Sequence, residues 1–257
     1  MIHPTAIIDA TARISDSISI GPYAVIGSEV TIEDNTEIGS HVVIKGPTHI
    51  GKNNRIFHFS SIGEDPQDKK FKNDKNSVLV IGDNNIIREY CTINRGTDHG
   101  GGKTILGNDN WIMAYVHIAH DCLIGNGNTF ANNTTLAGHV IVDDNVIFGG
   151  FTGIHQFCHV GSHSFTAISS VVVKDVPPFL MISGNTASPS GLNREGLKRH
   201  GYSSDAINLL KKAYKIVYRE GLTTHDALEK LKPLAESSDE LRKFSDFISN
   251  SSRGIVR

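Results

Sequence analysis

Isoleucine recurs at positions 2, 8, 14, 20, 26, 32, 38, 44, 50, 56 and 62, a spacing of six. That interval matches neither the 3.6-residue turn of a helix nor a plain two-residue alternation, although it is three strand periods long. Two interruptions each shift the phase by one residue. The pattern resumes through Ile81, Ile87 and Ile93, then from Leu106 through Ile112, Ile118, Ile124, Phe130, Leu136, Val142, Phe148, Ile154, Val160, Thr166 and Val172, with Thr166 its weak member. Glycine follows the apolar position at Gly21, Gly27, Gly39, Gly51, Gly63, Gly82, Gly107, Gly125, Gly149 and Gly161, as expected where a chain turns a corner. Each hexapeptide therefore reads as one short strand plus one turn.

Three such units close a triangular coil of eighteen residues, with stacked rungs about 4.8 Å apart and the aliphatic side chains filling the interior. The predicted fold is mainly β: a parallel β-helix of hexapeptide repeats over 1–185, followed by a C-terminal α-helical domain over 186–257. A fully buried Ile or Leu contributes about 1.5–3 kcal/mol, so a long ladder of them holds the coil without disulfides or metal. Pro177 and Pro178 are expected to close the repeat. Beyond them Ile207, Leu210, Ala213, Tyr214, Val217 and Tyr218 form a helical stripe over 205–220, preceded by Ser203 and Ser204 and stopped by Gly221. Shorter helices are expected over 226–232 and 239–249, and this tail would cover one open end of the coil. The interruptions, 64–79 and 94–104, read as external loops. The second carries Arg95 and the run Gly100, Gly101, Gly102, but without the flanking strand and helix of a phosphate-cradling loop.

A formal charge of −2 over 257 residues argues against a general nucleic-acid binder. Residues 1–15 lack a basic segment followed by an apolar one, and no run approaches eighteen apolar residues, so neither secretion nor a membrane span is expected and a cytoplasmic location is the default. Cys91, Cys122 and Cys158 each fall four residues after an apolar repeat position, which reads as small core filler.

Among thirteen histidines, four fall into line. At eighteen residues per rung, His120, Gly138 and Gln156 share one angular position on three successive rungs; His139 and His155 are each one residue from that line, and His117 lies three residues before His120. Two chemistries fit such a corner. Three converging imidazoles would ligate zinc, as in the gamma-class carbonic anhydrases; a single imidazole would act as general base on a hydroxyl.

The segments His117 to Cys122 (HIAHDC), Ala131 to Asn133, Leu136 to Val140 (LAGHV) and His155 to Cys158 (HQFC), in this order on hexapeptide repeats, closely resemble the bacterial UDP-N-acetylglucosamine O-acyltransferases. The resemblance continues through Asp175 to Pro178, Gly191 to Arg199 and Ser252 to Gly254. It implies a left-handed coil and transfer of an R-3-hydroxyacyl group from acyl carrier protein to the glucosamine 3-hydroxyl of UDP-N-acetylglucosamine, the first step of lipid A biosynthesis. It also implies a homotrimer with its sites between subunits, and neither metal nor cofactor.

By the same resemblance His120 is the general base, Asp121 the carboxylate that orients it, and Gly138 the residue whose backbone N–H stabilises the oxyanion. The repeat arithmetic independently places Gly138 one rung above His120. Asp68, Lys70, His117, His139, His155 and Gln156 match substrate-contacting positions, and Asn193, Glu195 and Arg199 match nucleotide-binding ones. Ile168 falls where the family limits acyl-chain depth, and Thr186 stands where many relatives have histidine. Lys198, Arg199, Lys211, Lys212, Lys215 and Arg219 offer a basic surface to an acidic carrier protein. Acylation of a 3-amino sugar nucleotide, or a zinc-dependent carbonic anhydrase-like activity, are the competing readings.

Overall fold

In the computed structural model, which describes residues 1–72, 76–236 and 238–257, nearly every hexapeptide forms a strand of two to four residues that ends on or beside its apolar position. The strands stack into three sheets. A nine-stranded face runs from Ile7–Ile8 to Val171–Val172, an eight-stranded face from Arg13–Ile14 to His159–Val160, and a ten-stranded face from Ser19–Ile20 to Leu180–Ser183 and Ser188–Leu192. All pairings are parallel except the last, and the usual register step is eighteen residues, as from His117 to Thr135 to Gly153. The expected β-helix is therefore present, with the repeat isoleucines from Ile20 to Ile62 fully buried along its axis.

Four details depart from expectation, each for an identifiable reason. Except for Gly63 (76°), the glycines that follow the apolar positions are not the residues that turn the corners. Those turns are made two residues later, by Gly127 on one rung and elsewhere by non-glycine residues with positive φ such as Tyr23 (58°) and Asp121 (59°). Gly21 is required by crowding instead: a Cβ there would lie 2.8 Å from the Ser40 nitrogen of the next rung. The ladder is also not uniformly buried, since Ile2 is 49% exposed and Ile8 and Ile14 are half-buried at the open N-terminal end.

Nor do Pro177 and Pro178 end the coil. Val176 bridges to Val160 and Ile182 pairs with Thr166, in parallel and sixteen residues apart, so the last rung is two residues short and its inward residues fall off the six-residue count. Pro178 takes the corner position that Pro22 takes on an early rung, one residue before the positive-φ residue, Phe179 or Tyr23. Finally, a helix precedes those expected from the sequence: α1, Arg194–Arg199.

Most polar groups inside the coil are paired, although Asn128 Nδ2 and His163 Nδ1 have no partner among the described residues. Asn54, Asn85, Asn110 and Asn128 stack in a buried column in which each side-chain oxygen accepts from the backbone N–H of the next rung, at 2.7–2.9 Å. Corner amides that face inward thus keep partners despite burial. Thr166, the weak apolar member, is fully buried with its hydroxyl 2.9 Å from that of Thr152. The three cysteines are free and buried, and burial raises their thiols to about 12, 12 and 11.

Helices α2 (Ser204–Arg219), α3 (Thr224–Ala235) and α4 (Asp239–Asn250) follow, the second and fourth capped by Ser203 and Ser238. α2 packs its Ile207, Leu210, Ala213, Tyr214 and Val217 inward, and the Tyr214 hydroxyl donates to the Pro189 carbonyl at 3.4 Å. The chain end returns to the coil: Asp175 bridges to Ile255 in parallel, and its carboxylate accepts from the Ser251 hydroxyl at 2.6 Å. One end of the prism is therefore covered by the tail. Among the described residues no helix is long and apolar enough to cross a membrane.

Two excursions leave the coil, one between the strands Ser61–Glu64 and Val78–Ile81 and one between Thr92–Asn94 and Lys103–Leu106, so each is shorter than the interruption read as 64–79 or 94–104. Ser61 pairs with Thr92, thirty-one residues on, and Thr92 with His117, twenty-five on. The centre of the first loop, 73–75, lies outside the described residues.

Candidate active site

The chain passes from the nine-stranded to the eight-stranded face through corners at 119–122, 137–140 and 155–158, stacked on successive rungs. Neighbouring residues on a flat strand point to opposite faces, which would separate His120 from Asp121. The positive φ of Asp121 bends the chain so that its Oδ2 lies 2.8 Å from His120 Nδ1. Both residues are buried, at 8% and 5% exposure, so little water competes for the pair.

One rung on, Gly138 faces the His120 ring. A Cβ on Gly138 would lie 2.6 Å from His120 Cε1 and 2.7 Å from Nε2, so no side chain is accommodated. The backbone ladder does not use the N–H at this corner position: proline fills it at Pro22 and Pro178, and at Lys52, Asp83, Asn108 and Asn126 the N–H goes to a side chain of the next rung at 2.6–2.8 Å. Among the described hydrogen bonds none engages the Gly138 N–H. His139 stands edge-on to His120 at 5.1 Å and stacks on Phe157 at 4.5 Å.

The first loop closes over this corner. His120, Gly138, His139 and Gln156 line a cavity of about 540 Å³ together with Asp68, Lys70 and His99. The Lys70 N–H donates to Asp68 Oδ1 at 2.9 Å and, with His99 3.2 Å from Oδ2, holds the Asp68 carboxyl below the usual range. Burial alone would raise the Asp121 carboxyl, but hydrogen bonds from His120 and Thr97 outweigh it and keep it lowered. Burial depresses His139 and, with the charge of His120 adding to it, His117, which favours neutral rings.

The remaining expected residues are dispersed. His117 precedes the corner on its strand, with Nδ1 2.7 Å from the Thr92 hydroxyl. His155 is exposed, its Nδ1 3.1 Å from the Gln156 carbonyl and 3.3 Å from Arg253 at the chain end. Asn193 caps α1, accepting from the Gly196 N–H at 3.1 Å and donating to the His163 carbonyl at 2.9 Å. That places it at the corner between the eight- and ten-stranded faces, together with exposed Glu195, paired with Lys198, and exposed Arg199. Ile168, 71% exposed, sits on the third corner, and Thr186 is exposed in the hairpin turn after Ser183. A single chain thus gathers His120, Asp121, Gly138, His139, Gln156, Asp68 and Lys70, but not the nucleotide-matching residues or Ile168.

Sequence reasoning missed the groups that support Asp121. The Thr97 N–H and hydroxyl donate to its two oxygens at 3.0 and 2.7 Å, and its own N–H donates to the Thr104 hydroxyl at 2.8 Å. The expectation of a zinc site called for three imidazoles. Among the described residues the donor cluster within reach is His120, Asp121 and His139, two imidazoles and one carboxylate already engaged by Thr97 and His120.

Comparison with known proteins agrees along the whole length. The family "Udp N-acetylglucosamine O-acyltransferase; Domain 2" matches residues 175–256, and "Bacterial transferase hexapeptide (six repeats)" matches 11–46 and 103–138. The acyl-[acyl-carrier-protein]–UDP-N-acetylglucosamine O-acyltransferase of Thiobacillus denitrificans is 59% identical over 256 residues, covering 100% of this chain and 99% of its own. The solved UDP-N-acetylglucosamine acyltransferase of Francisella novicida is 48% identical, with a TM-score of 0.98 over 100% of this chain and 94% of that one. The Arabidopsis enzyme of the same description, at 36% identity, gives 0.89 over both full chains. The shared fold is the left-handed parallel β-helix with a C-terminal helical domain.

Proposed function

Because this chain belongs to the UDP-N-acetylglucosamine O-acyltransferase family, we propose that its His120 corner passes an R-3-hydroxyacyl group from acyl carrier protein to the glucosamine 3-hydroxyl of UDP-N-acetylglucosamine, opening lipid A biosynthesis. Membership carries the donor and acceptor. The observation that supports the mechanism is the His120–Asp121 pair at 2.8 Å, set against a glycine whose N–H the coil leaves free.

A sugar hydroxyl is a weak nucleophile at neutral pH, and an imidazole titrates in the range where it can take the proton as the oxygen attacks the thioester carbonyl. Nδ1 is committed to Asp121, which leaves Nε2 for the hydroxyl. The buried Asp121 carboxylate stabilises the imidazolium that forms. The Gly138 N–H donates to the oxyanion of the tetrahedral intermediate. Collapse re-forms the carbonyl and expels the carrier thiolate, which takes the proton back from Nε2.

Asp68, Lys70, His139 and Gln156 supply the polar lining that orients the sugar, with His117 and His155 flanking. Asn193, Glu195 and Arg199 take the nucleotide, the Arg199 guanidinium suiting a diphosphate. Since those residues and Ile168 lie on other corners of the same prism, the complete site requires neighbouring subunits of a homotrimer, with Ile168 limiting acyl depth. The exposed lysines Lys211, Lys212 and Lys215 on α2 offer the acidic carrier a basic groove.

Mass spectrometry of the product from UDP-N-acetylglucosamine and a panel of hydroxyacyl carrier donors tests this. Ester at the glucosamine 3-oxygen is expected. Turnover only with a 3-amino sugar nucleotide would replace the acceptor, and no acyl product with any donor would reject the reading.

A further inference from the structure

We propose that the loop 95–102 is a strap that positions the base, with Thr97 fixing the Asp121 carboxylate while the same loop ties down the segment carrying Asp68 and Lys70. The proposal rests on His120 being the base and extends that reading to a residue twenty-four positions from Asp121.

Thr97 is fully buried. It reaches Asp121 through both donors it owns, N–H to Oδ1 at 3.0 Å and hydroxyl to Oδ2 at 2.7 Å. A carboxylate held at both oxygens cannot rotate about its Cβ–Cγ bond, so the oxygen that meets His120 Nδ1 stays in place. The loop is itself closed on Thr97, whose carbonyl accepts from Gly100 and Gly102 at 3.0 and 2.8 Å. Gly100 packs so tightly that an added Cβ would lie 2.1 Å from Asp121 Oδ2 and 2.5 Å from His139 Cε1. The space beside the pair is therefore filled by backbone, which excludes water.

The other end of the strap grips the first loop. Arg95, 6% exposed, bonds Asp65 Oδ1 at 2.6 Å, and its N–H donates to the Glu64 carbonyl at 3.2 Å. The Asn94 side-chain amide, just before the strap, donates to the Glu64 and Asp65 carbonyls at 3.2 and 2.9 Å. His99 meets Asp68 at 3.2 Å. One short excursion from the coil thus holds both the carboxylate behind the base and the loop in front of it.

The test is steady-state kinetics of Thr97→Val, Thr97→Ser and Gly100→Ala, with His120→Ala in the same assay. Valine keeps the shape and the N–H but loses the hydroxyl. The expected result is a fall in kcat of about 10–100-fold for Thr97→Val and Gly100→Ala with KM unchanged, and rescue in Thr97→Ser with KM and Tm both unchanged. A wild-type kcat in Thr97→Val, equal impairment in the valine and serine variants, or a loss expressed only in KM or Tm would overturn the strap. A near-normal rate in His120→Ala rejects the base itself, whereas full loss there beside a wild-type Thr97→Val rejects only the strap.

Discussion

The two corners that flank the eight-stranded face place a side chain at the same position of the hexapeptide, Asp121 at one and His163 at the other, with φ of 59° and 58°. Their surroundings differ. Asp121 is buried among donors and stays ionised beside His120. His163 is packed against the rings of Phe179, His200 and Tyr202, and its buried Nδ1 has no partner among the described residues. Burial first, then the charges of His200 and Lys243, pushes it from the ordinary 6.5 to about 4. The coil supplies an identical backbone at both corners; whether the corner carries charge or excludes it depends on what the loops and the tail bring to it.

The largest break in this contrast is His120→Ala. Removing a general base is expected to lower kcat by about 10²–10⁴-fold, while circular dichroism and Tm stay unchanged because the ring holds no rung together. Asp121→Asn keeps the shape and loses the charge that supports the imidazolium. A fall in kcat of about 10–100-fold is expected, and an unaltered rate would remove Asp121 from the mechanism.

At the other corner the effect is on stability. His163 binds its proton less readily when folded than when unfolded, so the unfolded chain takes up more protons between about pH 6.5 and 4. Its contribution is therefore kept above about pH 6.5 and lost progressively as pH falls toward 4. His163→Phe should flatten Tm across that window, and phenylalanine suits this backbone because Phe59, Phe151 and Phe157 adopt it at the same hexapeptide position. An equally steep acid limb in the variant would assign the sensitivity to other groups. The smallest expected effect is that of chelators: turnover should be unchanged, and a loss restored by zinc would favour the hydratase chemistry instead.

Legibility in the sequence followed the repeat. The inward ladder, the stacking of His120, Gly138 and Gln156, and the four-residue offset of the cysteines all come from counting in sixes, and the rungs obey that count. Thr97 and Gly100 could not be placed this way because the excursions add residues outside the coil, so distance along the chain no longer converts to height along the axis. Val176 and Ile182 escaped for the opposite reason, a rung two residues short. The Asp121 contact was legible only through resemblance, since counting apolar positions in sixes locates the corner but does not show that its backbone is left-handed.

That backbone has a further consequence for how the site can vary. Among the described residues nineteen non-glycine residues adopt positive φ, and valine, isoleucine and threonine are absent from these nineteen. Branching at Cβ crowds the carbonyl in that conformation. The neighbour of the base is therefore drawn from a reduced alphabet before chemistry is consulted, and that alphabet happens to admit the short acid the base requires.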